Sequence, residues 1–263
     1  MSISLRLLCL SSVCLLLPAT ALRAEDWHYS LHAGAASAPR YSGATERALV
    51  PMLGGGITSP GGFFLDTDKG LGWAFDGDDF GLSVYVNGSA SRKDRRSKFK
   101  GSDELNGMGS IKSRPVLGLD GTYHLGAVIL GANFEHAAEE DKDEPDTGSA
   151  YNRLKLSLSL PLYKGRMGEL VGSVNSQFGD SDYVRTWYGV SEAQASRSQF
   201  HAYSARGGMF SRGAELTWTL PIDERWSVST VATVDYLAND AADSPIVERR
   251  LQSSLAAQVI YSF

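Results

Sequence analysis

Residues 251–263 read LQSSLAAQVIYSF, and hydrophobicity along this stretch alternates with a period of two. Counting back from Phe263, every second residue is apolar, and most residues between them are polar. The apolar set is Tyr261, Val259, Ala257 and Leu255. A strand with one face in lipid and the other facing a polar lumen has this pattern, and so does a half-buried strand of a water-soluble sheet. The rest of the chain has to decide between these two environments.

Residues 1–24 have the features of a secretory signal peptide. Arg6 precedes a nearly unbroken apolar run over residues 7–17, and small residues follow that allow cleavage after Ala21 or Ala24. The run is shorter than the roughly 20 residues that cross a bilayer as a helix. We therefore predict a signal peptide at residues 1–24 and one mature domain at residues 25–263.

The composition excludes several functional classes. Both cysteines, Cys9 and Cys14, lie in the predicted signal peptide, so the mature chain has no disulfide framework and no cysteine for catalysis or metal binding. Without Arg6 and Arg23 the formal charge falls from −5 to about −7, which argues against a general nucleic-acid binder. Beyond residue 24 no apolar run is long enough for a membrane helix, whereas a barrel strand needs only about 9–11 residues.

Strand-like alternation recurs throughout the mature chain. The clearest example is 151–162, where five leucines at even positions alternate with Lys155, Ser157 and Ser159, a pattern that an amphipathic helix does not have. Ten strands result instead of twelve if the weak hairpin at 63–75 lies outside the wall. The predicted strands are residues 27–36, 48–57, 63–66, 69–75, 80–88, 113–123, 125–137, 151–162, 167–178, 207–220, 226–237 and 251–263.

The connections between these strands alternate between long and short. Short ones at 58–62, 76–79, 124, 163–166 and 221–225 alternate with long ones near 37–47, 91–112, 138–149, 179–206 and 238–250. Bacterial outer-membrane barrels have this segregation, with the short turns facing the periplasm. A soluble sandwich or lipocalin-like barrel, the alternative, leaves the apolar outer faces uncovered. We predict an all-β fold, a transmembrane antiparallel β-barrel of about twelve strands in the outer membrane of a Gram-negative bacterium.

Three strings in the predicted long loops resemble one family. They are Pro39-Arg-Tyr-Ser-Gly43, Tyr188-Gly-Val-Ser-Glu-Ala-Gln-Ala195, and Asp243-Ser-Pro-Ile-Val247. With the barrel pattern, they resemble the MipA/OmpV family, the MltA-interacting outer-membrane proteins, over nearly the whole mature chain. The family-motif residues, with a structural or binding role, are Pro39, Tyr41, Gly43, Tyr188, Gly189, Gln194, Phe200, Tyr203, Asp243, Ser244 and Pro245. The aromatic pair Tyr261 and Phe263 resembles the assembly signal of outer-membrane barrels.

The resemblance implies a non-enzymatic scaffold that joins a lytic transglycosylase to a bifunctional penicillin-binding protein in murein growth. The motif strings, however, lie in loops that the predicted topology places outside the cell. A murein enzyme then meets only the short periplasmic turns, which offer little of the about 800 Å² per partner that a stable interface needs. The aromatic and glycine content of 188–207 favours packing inside the barrel mouth. A narrow porin for a small polar solute is the alternative function, and a lipid-modifying barrel enzyme is the third.

Two charged runs are binding candidates. A basic run at 92–100 suits the phosphates of lipopolysaccharide, and it equally fits a solvated, self-repelling loop. The acidic run at 139–146 lacks the spacing of an EF-hand loop, so we predict that it is solvated. The basic residues are Arg92, Lys93, Arg95, Arg96, Lys98 and Lys100.

Two pairs of residues that include histidine are candidates for catalytic or metal-binding sites, and the sequence supports neither. His201 and Ser204 share a loop, but a triad needs an orienting acid and a defined geometry, and the chain has no Gly-x-Ser-x-Gly elbow. His28 and His32 share one strand face without a third metal ligand. We predict no catalytic site, no metal and no cofactor. The expected partners are outer-membrane lipid, lipopolysaccharide and periplasmic murein enzymes, and no nucleic acid.

Overall fold

Twelve antiparallel strands form a closed barrel in the computed structural model, which describes residues 27–140 and 146–263. Each strand pairs with its sequence neighbours, and β1 pairs with β12 to close the cylinder. The predicted signal peptide lies outside the described residues. The strands are β1 (His28–Pro39), β2 (Arg47–Thr58), β3 (Phe63–Asp66), β4 (Gly70–Asp76), β5 (Phe80–Gly88), β6 (Pro115–Leu125), β7 (Val128–Ala137), β8 (Tyr151–Gly165), β9 (Gly168–Gly179), β10 (Gly208–Pro221), β11 (Trp226–Leu237) and β12 (Leu251–Ser262).

Alternation along most strands sorts apolar side chains outward and polar side chains into the lumen. On β8, Leu156 and Leu158 are exposed on the outer surface, whereas Lys155 and Ser157 point inward. The same rule holds on β12, where Leu255 and Val259 face outward. Exposed aromatic side chains form a belt at one end of the wall: Tyr29, Phe63, Trp73, Phe75, Phe80, Tyr123, Tyr163 and Trp226.

Loop length separates the two ends of the barrel, as predicted. The short-turn end carries residues 59–62, 77–79, 126–127, 166–167 and 222–225. The long-loop end carries L1 (40–46), L2 (67–69), L3 (89–114), L4 (138–150), L5 (180–207) and L6 (238–250), of which only L2 is short. Of L4, residues 141–145 lie outside the described part of the chain, together with most of the predicted acidic run.

Several predicted boundaries were wrong by a few residues. The β6–β7 turn lies at residues 126–127 rather than at His124, because Gly126, with φ of +62°, supplies the left-handed conformation that a two-residue hairpin turn requires. β8 continues to Gly165 through a shift in register between Pro161 and Tyr163, so the predicted turn at 163–166 is shorter. The hairpin at 63–75 is part of the wall as β3 and β4, which excludes the ten-strand alternative.

The long loops contain helical segments, including two in L5, which the sequence assigns only as a long connection. They are α1 (Ser181–Tyr188) and α2 (Glu192–Ala195) in L5, α3 (Asn239–Ala242) in L6, and a 3₁₀ turn (Asp103–Leu105) in L3. Asp180 caps α1 through its side chain, and Ser191 and Gln194 form a reciprocal capping box on α2. Within the described part of the chain, no helix has the length and apolar character needed to cross a membrane.

Candidate functional site: the lumen and its lid

L1, L3, L5 and L6 meet in a packed lid. These loops leave the barrel at points spread around its circumference, so contacts among them must cross the mouth of the lumen. The centre of the lid consists of the buried side chains Tyr41, Ala44, Leu105, Met108, Val190 and Ile246. A second buried cluster joins L5 and L6 to the top of the wall: Val184, Tyr188, Ala205, Phe210, Leu237, Ala241 and Ala242. The lid therefore has a hydrophobic core of its own.

The three family strings contact one another inside this lid. The Tyr41 hydroxyl donates to Glu248 Oε1 at 2.7 Å, and the hydroxyls of Ser42 and Tyr188 lie 2.8 Å apart. The Ser244 hydroxyl donates to the Tyr188 carbonyl. Residues far apart in sequence, from L1, L5 and L6, thus form one hydrogen-bonded unit.

Gly43 is required where L1 passes L6. Its φ is +102°, and a Cβ there would lie 2.8 Å from Val247 Cγ2. Its carbonyl accepts hydrogen bonds from the backbone amides of Glu248 at 3.0 Å and Arg249 at 2.9 Å. Any larger residue would push L1 away from L6.

Burial controls the ionisation of the lid's polar groups. It raises the pKa of Tyr188 to about 12, and burial with the hydrogen bond to Glu248 also raises the pKa of Tyr41. Burial opposes ionisation of Glu248, but hydrogen bonds from Thr45 and Tyr41 outweigh it and hold the pKa of Glu248 below its usual range. Both tyrosines are therefore neutral hydrogen-bonding groups at physiological pH.

The remaining L5 motif residues hold that loop against L3 and L6. Gln194 Nε2 donates to the Met108 carbonyl at 2.6 Å. Tyr203 exchanges backbone hydrogen bonds with Val190 and donates its hydroxyl to the Asp240 carbonyl at 2.8 Å. Phe200 packs against the centre of the lid.

The other four motif residues have more peripheral positions. Pro39 ends β1, Gly189 ends α1, and Pro245 is half-buried in L6. Asp243 is exposed and forms an ion pair with Arg250 at 2.7 Å. These residues shape the loops without contributing to the centre of the lid.

The predicted basic run divides into two sets. Lys93, Arg95, Arg96 and Lys98 are exposed on L3. Lys100 is half-buried and donates to the Ser91 hydroxyl at 3.1 Å.

Arg92, by contrast, lies inside the lid with 4% of its surface exposed. Its Nη1 donates to the Trp187 carbonyl at 2.8 Å, and its Nε and Nη2 have no hydrogen-bond partner among the described residues. Burial lowers its pKa to about 10, so it remains charged at neutral pH. Arg92 thus ties L3 to L5 instead of joining the exposed basic set.

Arg114 is a buried loop-holding residue that the sequence analysis missed. It donates to the carbonyls of Ser149 at 2.7 Å and of Thr147, and its guanidinium lies 5.4 Å from the Tyr151 ring centroid. Arg114 therefore fixes L4 beside L3. Nothing in its sequence context separates it from exposed basic residues.

Charged side chains on one side of the lumen wall form a connected network. Lys69 Nζ lies 3.2 Å from Asp120 Oδ2 and 2.8 Å from Ser83 Oγ. Asn133 donates to Asp120 Oδ1 at 2.6 Å, and Arg153 Nε lies 3.2 Å from Glu135 Oε2. These groups lie on L2 and β5–β8, so this side presents both signs of charge to the lumen.

The opposite side, formed by β9–β12, carries mostly small or neutral polar residues. Six buried, lumen-facing polar atoms there have no hydrogen-bond partner among the described residues, although others on this side, such as those of Ser173 and Thr233, do. The six are Asn175 Oδ1, Ser211 Oγ, Glu215 Oε2, Ser229 Oγ, Gln252 Oε1 and Gln258 Oε1. Buried polar atoms in folded proteins are nearly always hydrogen-bonded, to protein or to water. These buried atoms are therefore candidates for hydrogen bonds to water held within the lumen.

The two histidine pairings fall in separate surroundings. His201 and Ser204 are both exposed on L5, and within the described residues no hydrogen bond joins them. His32 points into the lumen with Nε2 3.2 Å from Asp68 Oδ2, while His28 is exposed at the first position of β1.

The predicted assembly residues complete an aromatic cluster at the short-turn end. The Tyr261 ring lies 4.7 Å from both Phe263 and Trp226, measured between centroids. Phe263 also packs edge-on against Tyr29 at 6.4 Å, and its amide donates to the Tyr29 carbonyl at 3.1 Å. The last residues therefore fasten β12 to the start of β1.

Comparison with known proteins agrees with this architecture. The family model described as MltA-interacting protein MipA matches residues 31–263. The outer membrane protein OmpV of Vibrio cholerae is 29% identical over 200 residues, which cover 74% of this chain and 72% of that protein. Omp26La of Vibrio anguillarum is 29% identical over 189 residues, covering 71% and 67%.

An outer-membrane channel from Pseudomonas putida F1 aligns over 90% of this chain and 94% of its own, with a TM-score of 0.43 and 11% identity. The predicted family, barrel and outer-membrane location are confirmed by the family match, the closed twelve-stranded wall and the named relatives. The chain belongs to the MltA-interacting protein (MipA) family of outer-membrane β-barrels.

Proposed function

We propose that this protein is a narrow, lid-controlled channel for small polar solutes. The observation that carries the proposal is the asymmetric lumen, in which a two-sign charge network on one side faces unpartnered polar atoms on β9–β12. Twelve strands fall between barrels filled by side chains and the 16–18-stranded porins with open aqueous channels, so the pathway is narrow.

The lid supports a controlled channel instead of an open one. Its buried core bridges loops from all around the mouth, and therefore a solute entering along the axis must pass beside or displace it. Loosening the lid should increase conductance without changing the wall.

Planar-bilayer recording of the refolded mature chain tests the channel. We expect small, uniform conductance steps, and larger or more frequent steps from Leu105→Ala, which removes a fully buried lid side chain. Ser229→Trp, which places a bulky ring in the lumen, should reduce conductance. The matched control is Thr230→Trp, because the neighbouring position on β11 faces outward. Silent membranes from both the wild type and Leu105→Ala, with heat-modifiable folded protein, would contradict the proposal.

A scaffold for murein enzymes is the second candidate function. The family description, MltA-interacting protein, favours it, and MltA is the lytic transglycosylase that the resemblance implies. At the short-turn end, Phe63, Met167 and Ile222 expose large apolar side chains that a periplasmic protein could cover. The scaffold would extend to a bifunctional penicillin-binding protein and would be non-enzymatic.

Co-purification from detergent-solubilised envelopes tests the scaffold. We expect the wild type to capture a lytic transglycosylase. A lower yield of this enzyme with Met167→Glu and Ile222→Glu, but not with Leu49→Glu at the opposite end, supports a docking surface on the periplasmic rim. Capture that stays at the wild-type level in both Met167→Glu and Ile222→Glu would contradict it.

A lipid-modifying activity is the third candidate function. Unchanged lipid A in cells that carry either the wild type or Ser204→Ala would exclude it.

A further inference from the structure

The barrel wall is incomplete between β2 and the β3–β4 hairpin. β2 has twelve residues and β3 has four, and only Gly56, Ile57 and Thr58 of β2 pair with β3. Just above them, the Gly55 amide and carbonyl bond to the hydroxyl and amide of Thr67, each at 3.0 Å. Beyond that contact, residues 47–54 have only β1 as a strand partner within the described chain. At about 3.3 Å per residue, this free edge is about 26 Å long.

Backbone hydrogen-bonding groups point into this gap. In an antiparallel strand the amide and carbonyl of alternate residues face the same neighbour, so those of Leu49 and Leu53 face the gap as those of Gly55 do. Pro51, between them, has no amide to leave unpaired, as is typical of a strand edge. The side chains confirm the missing neighbour: Leu49 is 69% and Leu53 66% exposed, against 52% for Leu255, which faces outward with strands on both sides.

L3 closes the top of the gap by reaching across to L1. Arg40 Nη1 donates to the carbonyls of Ser97 at 3.1 Å and Gly101 at 3.2 Å, and Arg96 Nη1 lies 2.9 Å from Glu46 Oε1. The gap is therefore a lateral window, bounded by β2 residues 47–54 at one side, the hairpin tip 67–69 below and L3 residues 95–101 above. Exposed basic residues stand at its upper border: Lys93, Arg95, Arg96 and Lys98.

The position of the window limits what can occupy it. It lies in the long-loop half of the wall, which in outer-membrane barrels faces the outer leaflet and the cell exterior. Unpaired backbone groups are not stable against pure hydrocarbon. An occupant must therefore bring hydrogen-bonding groups to the Leu49–Leu53 edge, apolar chains to its outer surface and negative charge to the upper border.

We propose that the lateral window is a binding site for lipopolysaccharide. The phosphates of its lipid A contact Lys93, Arg95 and Lys98, because basic side chains attract phosphate strongly near a membrane surface. The amide and hydroxyl groups at the base of its acyl chains pair with the β2 backbone, and the chains pack on Leu49 and Leu53. This site is independent of whether the lumen conducts.

Photo-crosslinking tests the window. p-Benzoylphenylalanine is placed at Leu49, Leu53 or Leu255 in the full mature chain, which is reconstituted with lipopolysaccharide. Leu255 is the matched control because Leu49 and Leu255 both lie opposite Ser37, on either side of β1. We expect several times more lipopolysaccharide adduct at positions 49 and 53 than at 255. Equal adducts at all three positions would show ordinary surrounding lipid and overturn the proposal.

Charge reversal supplies an independent readout. Arg95→Glu with Lys98→Glu should weaken lipopolysaccharide binding about tenfold or more, whereas Arg249→Glu, an exposed arginine on L6, should leave it unchanged. Equal loss in both variants would show that only the general surface charge matters and would overturn the site.

Two further outcomes of the crosslinking experiment would contradict the proposal. Protein–protein adducts at positions 49 and 53 would assign the free edge to a second copy of the chain. Equal labelling by phosphatidylglycerol alone would assign it to any anionic lipid. Heat-modifiable migration confirms folding of each variant.

Discussion

The lid and the lumen wall solve the problem of polar groups in opposite ways. The lid buries an apolar centre and satisfies most of its polar groups internally, as in the bond from Tyr41 to Glu248, with nitrogens of Arg92 and Arg114 among the exceptions. The lumen wall spreads a charge network along one side and leaves polar atoms unpartnered on the other. The lid therefore behaves as a small protein core, sensitive to lost volume. The lumen behaves as an internal surface, where a substitution changes electrostatics more than stability.

The largest effect is expected at the centre of the lid. Leu105→Ala removes a fully buried side chain and should cost the lid roughly 2–5 kcal/mol, the range for buried leucines. Amide hydrogen exchange of L3 and L5 measures this loss. Leu255→Ala, on the outer surface of β12, is the control and should leave lid exchange unchanged. Equal exchange in wild type and Leu105→Ala would show that the lid has no cooperative core.

The two buried arginines of L3 give the next largest difference. Arg114→Met removes two hydrogen bonds to L4 and a ring contact and relieves one unpartnered nitrogen, whereas Arg92→Met removes one bond and relieves two. Hydrogen bonds to charged groups contribute about 1.5–3 kcal/mol each, and burying an incompletely paired charge is costly. We expect Arg114→Met to be the more destabilising by about one such bond. Lid unfolding in urea compares them; the reverse order would contradict the assignment.

A smaller effect is expected from acidification. The folded-state pKa of Glu248 is lowered, so its stabilising contribution is present above the ordinary carboxyl pKa of about 4.3 and is lost as pH falls through the folded value. Glu248→Gln should cost about 1 kcal/mol at pH 7 and should remove part of the lid's acid sensitivity. Hydrogen exchange of L1 and L6 from pH 7 down to pH 3.5, corrected for intrinsic rates, measures both. Identical pH profiles would refute the role of this carboxylate.

The smallest effect on stability belongs to the lumen. Asp68, whose side chain is exposed, pairs with the mostly buried His32, and ion pairs that are open to solvent on one side contribute about 0–1 kcal/mol. Asp68→Asn should therefore leave unfolding nearly unchanged while shifting the channel's ion preference away from cations, which reversal potentials measure. Asp78→Asn, in the short turn 77–79, is the matched control. A selectivity shift of equal size in both variants would place its cause outside the lumen.

Orientation within the wall was predictable because strand geometry has a fixed period. Once 151–162 is assigned as a strand, Lys155 and the leucines must face opposite sides, and the structure has them so. The Ser-x-x-Gln spacing of the capping box at Ser191 and Gln194 is also present in the sequence. The helix was nevertheless not predicted, because four residues are too few to show a helical periodicity.

The lid could not be assembled from the sequence in the same way. Tyr41 and Glu248 are 207 positions apart, and no local sequence pattern predicts that L1 contacts L6. Arg92 and Arg114 have the same chemistry as the exposed basic residues of L3, and only tertiary packing buries them. The lateral window exists because the β3–β4 hairpin is too short to cover β2. It can therefore be recognised only when the strand pairing is known.

The pairing of β1 with β12 has a consequence for how the molecule forms. Every other pair in the wall joins neighbouring segments, whereas this one joins Ala33 to Val259, across nearly the whole described chain. Local hairpins form early because short loops close at little entropic cost, and the most distant contact forms late. Until then two long strand edges remain open to wrong partners. We therefore expect the pairing of β1 with β12 to be the last step in closing the wall, with the aromatic cluster of Tyr29, Tyr261 and Phe263 packing as the ring closes.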